Sequence, residues 1–336
     1  MKILAGHVIL SISFIIPAYN AEKNLRECLK AITALVSLDD EIILVNDASS
    51  DSTQKIASQH NCKIINLQKN GGAAHARNHG AKISSKDILV FIDSDVLISK
   101  ENIENVRSYF QNNENIQTIT ANVDLENLQL GFFTDFKNLY MNYIISAGSL
   151  SVNYVYGSFC ATRSKNYTPW PEEIRLTEDS LWGYQQKKSG FTIHSLSELK
   201  VKHLKEYSLK SLIRNDFLIS SFFARAFLGF NRWNTLYSKE SFGHTSKLQK
   251  ISVILSMIVL MISPIAPFLS LGIFILWFVI NIRFFQFLFL QRGVSFSLKS
   301  IAWYFFTSIN YFIGICHGFC IYFMEKTNLT EEREIA

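Results

Sequence analysis

The chain has 336 residues and a formal net charge of +5, with 48% hydrophobic and 18% charged residues. The positive charge is concentrated in residues 187–250, which carry twelve Lys and Arg against four Asp and Glu, while residues 1–100 carry eleven against ten. The five cysteines form no paired pattern, and this excludes a disulfide framework of the kind found in small secreted domains.

Apolar strands that alternate with helical patterns open the chain. Residues 13–17, 41–45 and 63–67 are short apolar runs, and the first two lead into polar turns followed by apolar residues at helical spacing. Strands and helices in this alternation predict an α/β domain with a doubly wound, mainly parallel sheet. In such a sheet a ligand binds at the carboxyl ends of the strands.

A fourth strand, residues 88–92, runs directly into Asp93-Ser94-Asp95. Its continuous hydrophobic character is typical of a parallel strand that is covered on both faces. Two carboxylates at the end of this strand can hold Mg²⁺ or Mn²⁺ together with the phosphates of a substrate. Taken alone, the same motif also fits a solvated turn, because Asp is a favoured turn residue.

The order of motifs in this region resembles the donor site of family 2 glycosyltransferases. The motifs are Phe14-Ile15-Ile16-Pro17-Ala18-Tyr19-Asn20, Val45-Asn46-Asp47-Ala48-Ser49-Ser50-Asp51-Ser52-Thr53, Asn70-Gly71-Gly72 with Ala76-Arg77-Asn78, and Asp93-Ser94-Asp95. The resemblance covers about the first two hundred residues and implies a GT-A fold that binds a nucleoside diphosphate sugar with Mg²⁺ or Mn²⁺. The donor-binding roles that it implies are the nucleotide pocket for Ala18, Tyr19 and Glu22, the base for Asp47, the ribose for Asp93 and the metal for Asp95.

A second carboxylate cluster is Thr177-Glu178-Asp179. In an arbitrary protein this would be a helix N-cap followed by acids that the helix dipole favours. Because the cluster follows the donor motifs, the resemblance implies that Asp179 is the general base and Glu178 a supporting acid. Direct displacement needs a carboxylate that takes the acceptor proton and a metal that neutralises the departing diphosphate. Residues 157–159 would lie between the two acidic sites, although a plain buried strand explains residues 155–161 equally well.

Two further residues each have two interpretations. Arg77 either contacts a phosphate of the donor or forms a salt bridge on a helix surface, since arginine serves both roles. His203 either completes the metal site, as a histidine does in several members of the family, or is a solvated residue among lysines.

Two long runs without Asp, Glu, Lys or Arg follow, at residues 251–282 and 301–324. Both exceed the ~20 apolar residues that span a bilayer. Pro264 and Pro267 divide the first run. We therefore expect membrane spans at residues 248–265, 267–290 and 301–324. Lys and Arg beside the predicted helix ends place the catalytic domain in the cytoplasm. A single kinked helix followed by another is the alternative.

The segment before these spans has a two-sided helical pattern. Its apolar face carries Leu212, Phe223 and Phe230, and its basic face carries Arg214, Arg225 and Arg232. This pattern predicts a helix in the membrane interface that contacts anionic lipids, with packing of the aromatic rings on the catalytic domain as the alternative. The uncharged runs that follow favour lipid over nucleic acid as the partner of the basic segment.

The predicted domains are catalytic (1–205), juxtamembrane (206–247), transmembrane (248–325) and a tail (326–336). The implied function is that of a multi-pass, metal-dependent, inverting glycosyltransferase. Its expected partners are a nucleoside diphosphate sugar, membrane lipids and an acceptor such as a polyisoprenyl phosphate or lipid-linked sugar. A membrane-tethered binding or scaffold protein with a degenerate transferase domain is the alternative. A dinucleotide-dependent oxidoreductase is disfavoured, because no G-x-G-x-x-G follows the first strand.

Overall fold

The structure is a computed structural model, and it describes residues 3–4, 7–8, 10–126, 130–229 and 246–335. The chain divides into two compact units. The first unit comprises residues 1–127 and 145–205, and the second comprises residues 128–144 and 206–336. Phe230 and Arg232, which the sequence places on the juxtamembrane helix, lie outside the described residues.

The elements are numbered in chain order. The strands are β1 (Ile3–Leu4), β2 (His7–Val8), β3 (Ile12–Ala18), β4 (Glu41–Asn46), β5 (Lys63–Asn66), β6 (Ile88–Ile92), β7 (Val96–Leu97), β8 (Thr118–Val123), β9 (Ser151–Val152), β10 (Phe159–Arg163) and β11 (Ile193–His203). The helices are α1 (Leu25–Thr33), α2 (Thr53–Ala57), α3 (Ala73–Ile83), α4 (Lys100–Asn112), α5 (Phe132–Ser146), α6 (Glu178–Lys188), α7 (Leu209–Gly229), α8 (Lys247–Ile262), α9 (Pro267–Ile280) and α10 (Ile282–Ile335).

The first unit is built on a mixed sheet with the strand order β5-β4-β3-β6-β10-β8-β11-β7, and β9 pairs with β11. Strands β5, β4, β3 and β6 are parallel neighbours, and β8 is parallel to β11. Strand β10 runs antiparallel between β6 and β8. The predicted mainly parallel sheet with helices is therefore confirmed, and the antiparallel strand at its centre is an addition that the sequence pattern did not predict.

Helix α3 lies very close to the sheet. A Cβ atom at Gly80 would overlap Cγ2 of Ile15 on β3, so only a glycine permits this approach. Residues three apart in a helix share a face, and Arg77 therefore lies over the same side of the sheet as Gly80. The close packing brings a long cationic side chain to the carboxyl ends of β3 and β6.

In the second unit, helices α7 and α10 pack through small and polar residues. Gly318 approaches the Ser221 carbonyl and the Ala224 methyl group so closely that an added Cβ atom would overlap them. Oγ of Ser221 and Nδ1 of His317 are 2.9 Å apart in a hydrogen bond. Small residues with interhelical hydrogen bonds are typical of helix packing in membranes, where the hydrophobic effect does not drive helices together.

The predicted interfacial helix packs differently from the expectation. Leu212 and Asp216 are buried, so this face of α7 is not a lipid-facing surface. Asp216 accepts hydrogen bonds from Lys137 on α5 and from Tyr311 on α10. Arg225, expected near lipid phosphates, forms an ion pair of 2.7 Å with Glu325. Among the residues of the predicted basic face that the structure describes, Arg214 alone is exposed and makes no ion pair.

The C-terminal helices differ from the predicted spans in their boundaries. Among the described residues, one helix, Ile282–Glu325, has the length and composition to cross a bilayer, and Pro267–Ile280 is a shorter apolar helix. Helix α9 ends at Ile280, before the predicted end at residue 290. The backbone of α10 breaks at Gly293, where φ is 75°. The structure thus has one long, kinked apolar helix. It contains the end of the predicted span 267–290 and the whole of the predicted span 301–324.

We expect Gly318→Leu to lower the thermal midpoint of the detergent-solubilised chain. The larger side chain overpacks the contact between α7 and α10, which typically costs about 1–3 kcal/mol. Gly272→Leu on α9 is the matched control, because an added Cβ atom there meets nothing within 4 Å. Equal midpoints for the two variants would contradict this account of the helix contact.

Candidate active site

The carboxyl end of β6 carries Asp93 and Asp95, as the sequence predicted. The Asp93 N–H donates to the Ser158 carbonyl at 3.1 Å, and this bond fixes the turn after the strand. Strands β7 and β11 pair with His203 opposite Val96, and the Leu204 N–H donates to the Asp95 carbonyl at 2.7 Å. This pairing brings His203, from the far end of the domain sequence, beside the acidic motif.

Ligand atoms of Asp93, Asp95 and His203 all lie within 4.8 Å of one another. Nε2 of His203 is 3.6 Å from Oδ1 of Asp95. Burial raises the pKa of the Asp95 carboxyl, His203 opposes this effect, and the negative charge of Asp93 adds to it. Two carboxylates and an imidazole at this spacing are donors that fit Mg²⁺ or Mn²⁺. A divalent cation would also relieve the repulsion between the two carboxylates.

Arg77 lies on α3 with 3% of its side chain exposed. Its Nη1 donates to Glu178 at 2.9 Å, and its Nη2 donates to Asp93 at 2.9 Å and to the Gly157 carbonyl at 3.1 Å. Burial lowers the pKa of the guanidinium, but Asp93 and Glu178 raise it by more, so Arg77 stays charged. These contacts correct one interpretation of Arg77, because the guanidinium bonds two carboxylates and a carbonyl in a buried position and does not form a surface salt bridge. A contact of Arg77 with a donor phosphate remains a prediction.

The second acidic cluster lies at the start of α6. The Asp179 carboxylate accepts hydrogen bonds from the N–H groups of Gly157 at 3.2 Å and of Ser180 at 2.6 Å. Burial raises the pKa of Glu178, Arg77 opposes this effect, and Asp179 adds to it. Thr177 occupies the N-cap position of α6, as its sequence suggested, but its φ is 70° and its side chain makes no capping bond. A left-handed, non-glycine residue beside these acids is local strain of the kind that accompanies functional sites.

Gly157 and Ser158 lie between the two acidic clusters. Gly157 donates its N–H to Asp179 and accepts from Arg77, while the Ser158 carbonyl accepts from Asp93. A Cβ atom at Gly157 would lie 3.1–3.2 Å from the Asp179 side chain. The backbone of Gly157 and Ser158 therefore forms a wall that contacts both clusters, at Asp93 through the Ser158 carbonyl and at Asp179 through the Gly157 N–H.

The predicted nucleotide residues lie at the ends of β3 and β4. The Asp47 carboxylate accepts the N–H groups of Gly71 at 2.9 Å and of Gly72 at 2.8 Å. This holds the glycine turn, in which Gly72 has a φ of 93° that favours glycine. Ala18 is buried and accepts the Asp47 N–H, whereas Tyr19 is 54% exposed. Contacts of Ala18, Tyr19, Glu22 and Asp47 with a nucleotide remain predictions.

Trp170 is a part of the site that the sequence reading missed. The guanidinium of Arg77 lies 4.4 Å from the centroid of its ring. Trp170 also stacks on Trp182, with ring centroids 4.1 Å apart and an interplanar angle of 14°. A cation–π contact of this kind stabilises the positive charge of Arg77, in addition to the charges of its two carboxylate partners. Nothing in the local sequence marks Trp170 for this role, because it precedes no periodic element and its partners are distant in sequence.

We expect Arg77→Met to lower the free energy of unfolding by about 3–5 kcal/mol, since removing one partner of a buried ion pair leaves the others uncompensated. Chemical denaturation of the purified chain, followed by tryptophan fluorescence, measures the change. Arg26→Met is the matched control, because Arg26 is exposed and bonds to Gln59 only through its Nη1. A loss no larger than that of the control would contradict the buried network.

Comparison with known proteins agrees with this geometry. Residues 13–167 match the family described as Glycosyl transferase family 2. This part of the chain is therefore similar to family 2 glycosyltransferases. This match covers both Asp93 and Asp95, whereas Asp179 and His203 lie beyond its end.

Two relatives of the domain are bacterial synthases. The poly-beta-1,6-N-acetyl-D-glucosamine synthase of Staphylococcus epidermidis (strain ATCC 35984) is 30% identical over 120 residues, which is 34% of this chain and 29% of that protein. The enzyme of the same description from Staphylococcus aureus (strain COL) is 29% identical over the same shares. The chain thus spans less than a third of the length of these relatives.

A solved structure extends the likeness of fold over nearly the whole chain. Mannosyltransferase PcManGT from Pyrobaculum calidifontis, in complex with GDP-Man and Mn²⁺, aligns with a TM-score of 0.59 at 11% identity. The alignment covers 93% of this chain and 88% of that chain. The GT-A-like fold expected from the sequence motifs is therefore confirmed for the catalytic part.

Proposed function

We propose that the chain is a membrane-anchored, metal-dependent, inverting glycosyltransferase. It moves a sugar from a nucleoside diphosphate sugar to an acceptor at the cytoplasmic surface of the membrane, with a lipid-linked acceptor as the leading candidate. The observation that carries the proposal is that two acidic sites meet at one backbone segment. Ligand atoms of Asp93, Asp95 and His203 lie within 4.8 Å of one another beside Ser158, whose carbonyl accepts the Asp93 N–H, and Asp179 accepts the N–H of Gly157.

On the donor side, Asp95 and His203 would hold a divalent cation, with Asp93 beside them. When bound, the cation would neutralise the charge that grows on the departing diphosphate. Arg77 keeps Asp93 in place through its 2.9 Å bond and links that carboxylate to Glu178 on the acceptor side. Asp47 holds the Gly71-Gly72 turn, and this turn leaves room for the nucleotide at the strand ends.

On the acceptor side, Asp179 takes the proton from the attacking hydroxyl. Its two hydrogen bonds from N–H groups orient the carboxylate. Glu178 supports it by holding Arg77, and burial raises the pKa of the Glu178 carboxyl. An acceptor that enters from the side opposite the leaving diphosphate produces inversion at the anomeric carbon.

The energetics of the site favour catalysis over the scaffold alternative. Burial raises the pKa of both Asp95 and Glu178, so the folded chain holds carboxyl groups where their charged forms are unfavourable. Clusters of perturbed carboxyl groups at strand ends are characteristic of working active sites. A non-catalytic scaffold would have no use for buried carboxyl groups that lower the stability of the fold.

Membrane anchoring rests on the second unit. Exposed apolar side chains on α8, α9 and α10, such as Ile254, Phe268 and Leu290, have no favourable contact with water. With α8, α9 and the part of α10 after Gly293 as spans, the chain passes the bilayer three times. Lys247 and Arg292 then lie on the cytoplasmic side, as their positive charge favours.

The experiment that tests this function uses the full chain in neutral detergent. A panel of nucleotide sugars is incubated with Mn²⁺, Mg²⁺ or EDTA, and release of nucleoside diphosphate is measured. We expect release from one donor with a metal and none with EDTA. Donor binding without release for any sugar or acceptor would contradict catalysis and support the scaffold alternative.

A further inference from the structure

The second unit contains a cavity of about 740 Å³ on the surface of α7. The residues that line it include Leu209, Lys210, Ile213, Arg214, Phe217 and Asn310. Its volume lies in the range of sites that bind small organic ligands, about 300–1,000 Å³. All of these residues belong to the same unit, so the cavity is a property of this unit alone.

The lining of the cavity is almost entirely apolar, and it includes the side chains of two cations. Leu209, Ile213 and Phe217 recur every four residues and form one stripe of α7. Lys210 and Arg214, one residue further on in each turn, form the adjacent stripe. Both cations are exposed, and among the described residues neither forms an ion pair. Two like charges four residues apart repel each other, so an anion between them is favourable.

No carboxylate of the same helix turns towards this cationic stripe. Asp216, the nearest acid on α7, is 2% exposed and is bonded to Lys137 at 2.7 Å and to Tyr311 at 3.2 Å. Its charge is therefore already compensated inside the unit. The positive potential at Lys210 and Arg214 remains available to a ligand.

The inner edge of the cavity is fixed by a bond between two helices. Asn310 is 8% exposed and donates from its side-chain nitrogen to the Ile213 carbonyl at 2.9 Å. Its side-chain oxygen accepts no hydrogen bond from the described residues and can take one from a ligand. Gly314, one turn further along α10, permits close approach to Phe217 and Ser220. The cavity is thus formed by packed helices and needs no rearrangement to admit a ligand.

We propose that this cavity binds a lipid that carries a phosphate or diphosphate head group. The phosphate lies between Lys210 and Arg214, and the hydrocarbon chain lies along Leu209, Ile213 and Phe217. The apolar stripe distinguishes this ligand from free phosphate, which would make no use of it. The inference rests on the proposed function and deepens it: the acceptor is lipid-linked, and the second unit holds the phosphate of its lipid.

The test measures binding of radiolabelled farnesyl phosphate to the full chain in neutral detergent, with protein-free micelles as the blank. Farnesol has the chain without the phosphate, and inorganic phosphate has the charge without the chain. We expect neither competitor to displace the probe at concentrations where unlabelled farnesyl phosphate does. Displacement by inorganic phosphate alone would identify a free-anion site, and displacement by farnesol alone a general apolar groove; either result overturns the proposal.

Substitutions then locate the site. Lys210→Gln with Arg214→Gln should weaken binding of farnesyl phosphate about tenfold or more, since each cation near a lipid head group contributes on the order of 1 kcal/mol. Lys247→Gln with Lys299→Gln removes the same charge from two other exposed positions of this unit and should change binding little. Lys210→Arg with Arg214→Lys keeps both charges and should retain binding. An equal loss in the control pair, or no loss in the first pair, overturns the proposal.

Because the assay needs no turnover, its result is separable from that of the nucleotide-sugar panel. A chain that releases nucleoside diphosphate but does not bind farnesyl phosphate has the proposed function with another acceptor. A chain that binds farnesyl phosphate at Lys210 and Arg214 but releases no nucleoside diphosphate has the lipid site without the proposed catalysis.

Discussion

Asp95→Asn is expected to reduce turnover by about 10³-fold or more, because charge stabilisation by a bound metal is worth several kcal/mol. The neutral amide is a poor ligand for a hard cation. The substitution also removes the charge that faces His203 at 3.6 Å, so both residues assigned to the metal are affected. The fold should persist, since the backbone carbonyl of Asp95 keeps its bond to the Leu204 N–H.

Initial rates across a titration of Mn²⁺, together with calorimetric donor binding with and without metal, measure this effect. Asp39→Asn is the matched control, since Asp39 is an exposed carboxylate of the same unit. We expect the control to behave as the unchanged chain and Asp95→Asn to lose metal-dependent donor binding. Near-normal rates for Asp95→Asn at limiting metal would remove Asp95 from the metal site.

Asp179→Asn is expected to slow the chemical step by about 10²–10⁴-fold, the usual contribution of a general base. Asparagine is nearly isosteric, and its side-chain oxygen can still accept a hydrogen bond from Gly157 or Ser180. The wall between the two sites should therefore remain intact. Donor affinity should change little, because the substitution removes proton transfer to Asp179, which occurs only in the transition state.

Single-turnover kinetics with saturating donor isolate the chemical step, and equilibrium binding of the nucleotide sugar measures affinity. Glu178→Gln provides a useful comparison, because it removes a partner of Arg77 and should affect stability as well as rate. If Asp179→Asn instead abolished donor binding with the chemical step unchanged, Asp179 would belong to the donor site, and the base would be another group.

The strands of the first unit follow from local sequence. The apolar runs of β3, β4 and β6 are buried along their whole length, and such runs predict strands covered on both faces. The place of β10 does not follow in this way. It lies antiparallel between β6 and β8, and this pairing depends on a chain that returns after the intervening helix α5. Strand order is a long-range property, whereas strand formation is mostly local.

The same division holds within the second unit. Uncharged runs predicted apolar helices, but the kink of α10 is at Gly293, where a positive φ interrupts the helix. Asp216 lies on the face of α7 that the hydrophobic periodicity predicts to be apolar. Its buried charge is stabilised there by hydrogen bonds from Lys137 and Tyr311, which belong to other helices. Hydrophobic periodicity describes one helix, and it carries no information about which polar partners neighbouring helices supply.

In the candidate site, the sequence by itself determined which carboxylates stand at strand and helix ends, because motif order and strand ends are local features of the chain. Asp93, Asp95 and Asp179 were identified in this way. Only the tertiary structure decided the role of Arg77, whose partners Asp93 and Glu178 lie 16 and 101 residues away. It likewise decided that His203 faces Asp95, through the pairing of β7 with β11. The reason is physical: an arginine or histidine has the same local signature whether it meets phosphate, metal, carboxylate or water, and the fold alone determines which of these it reaches.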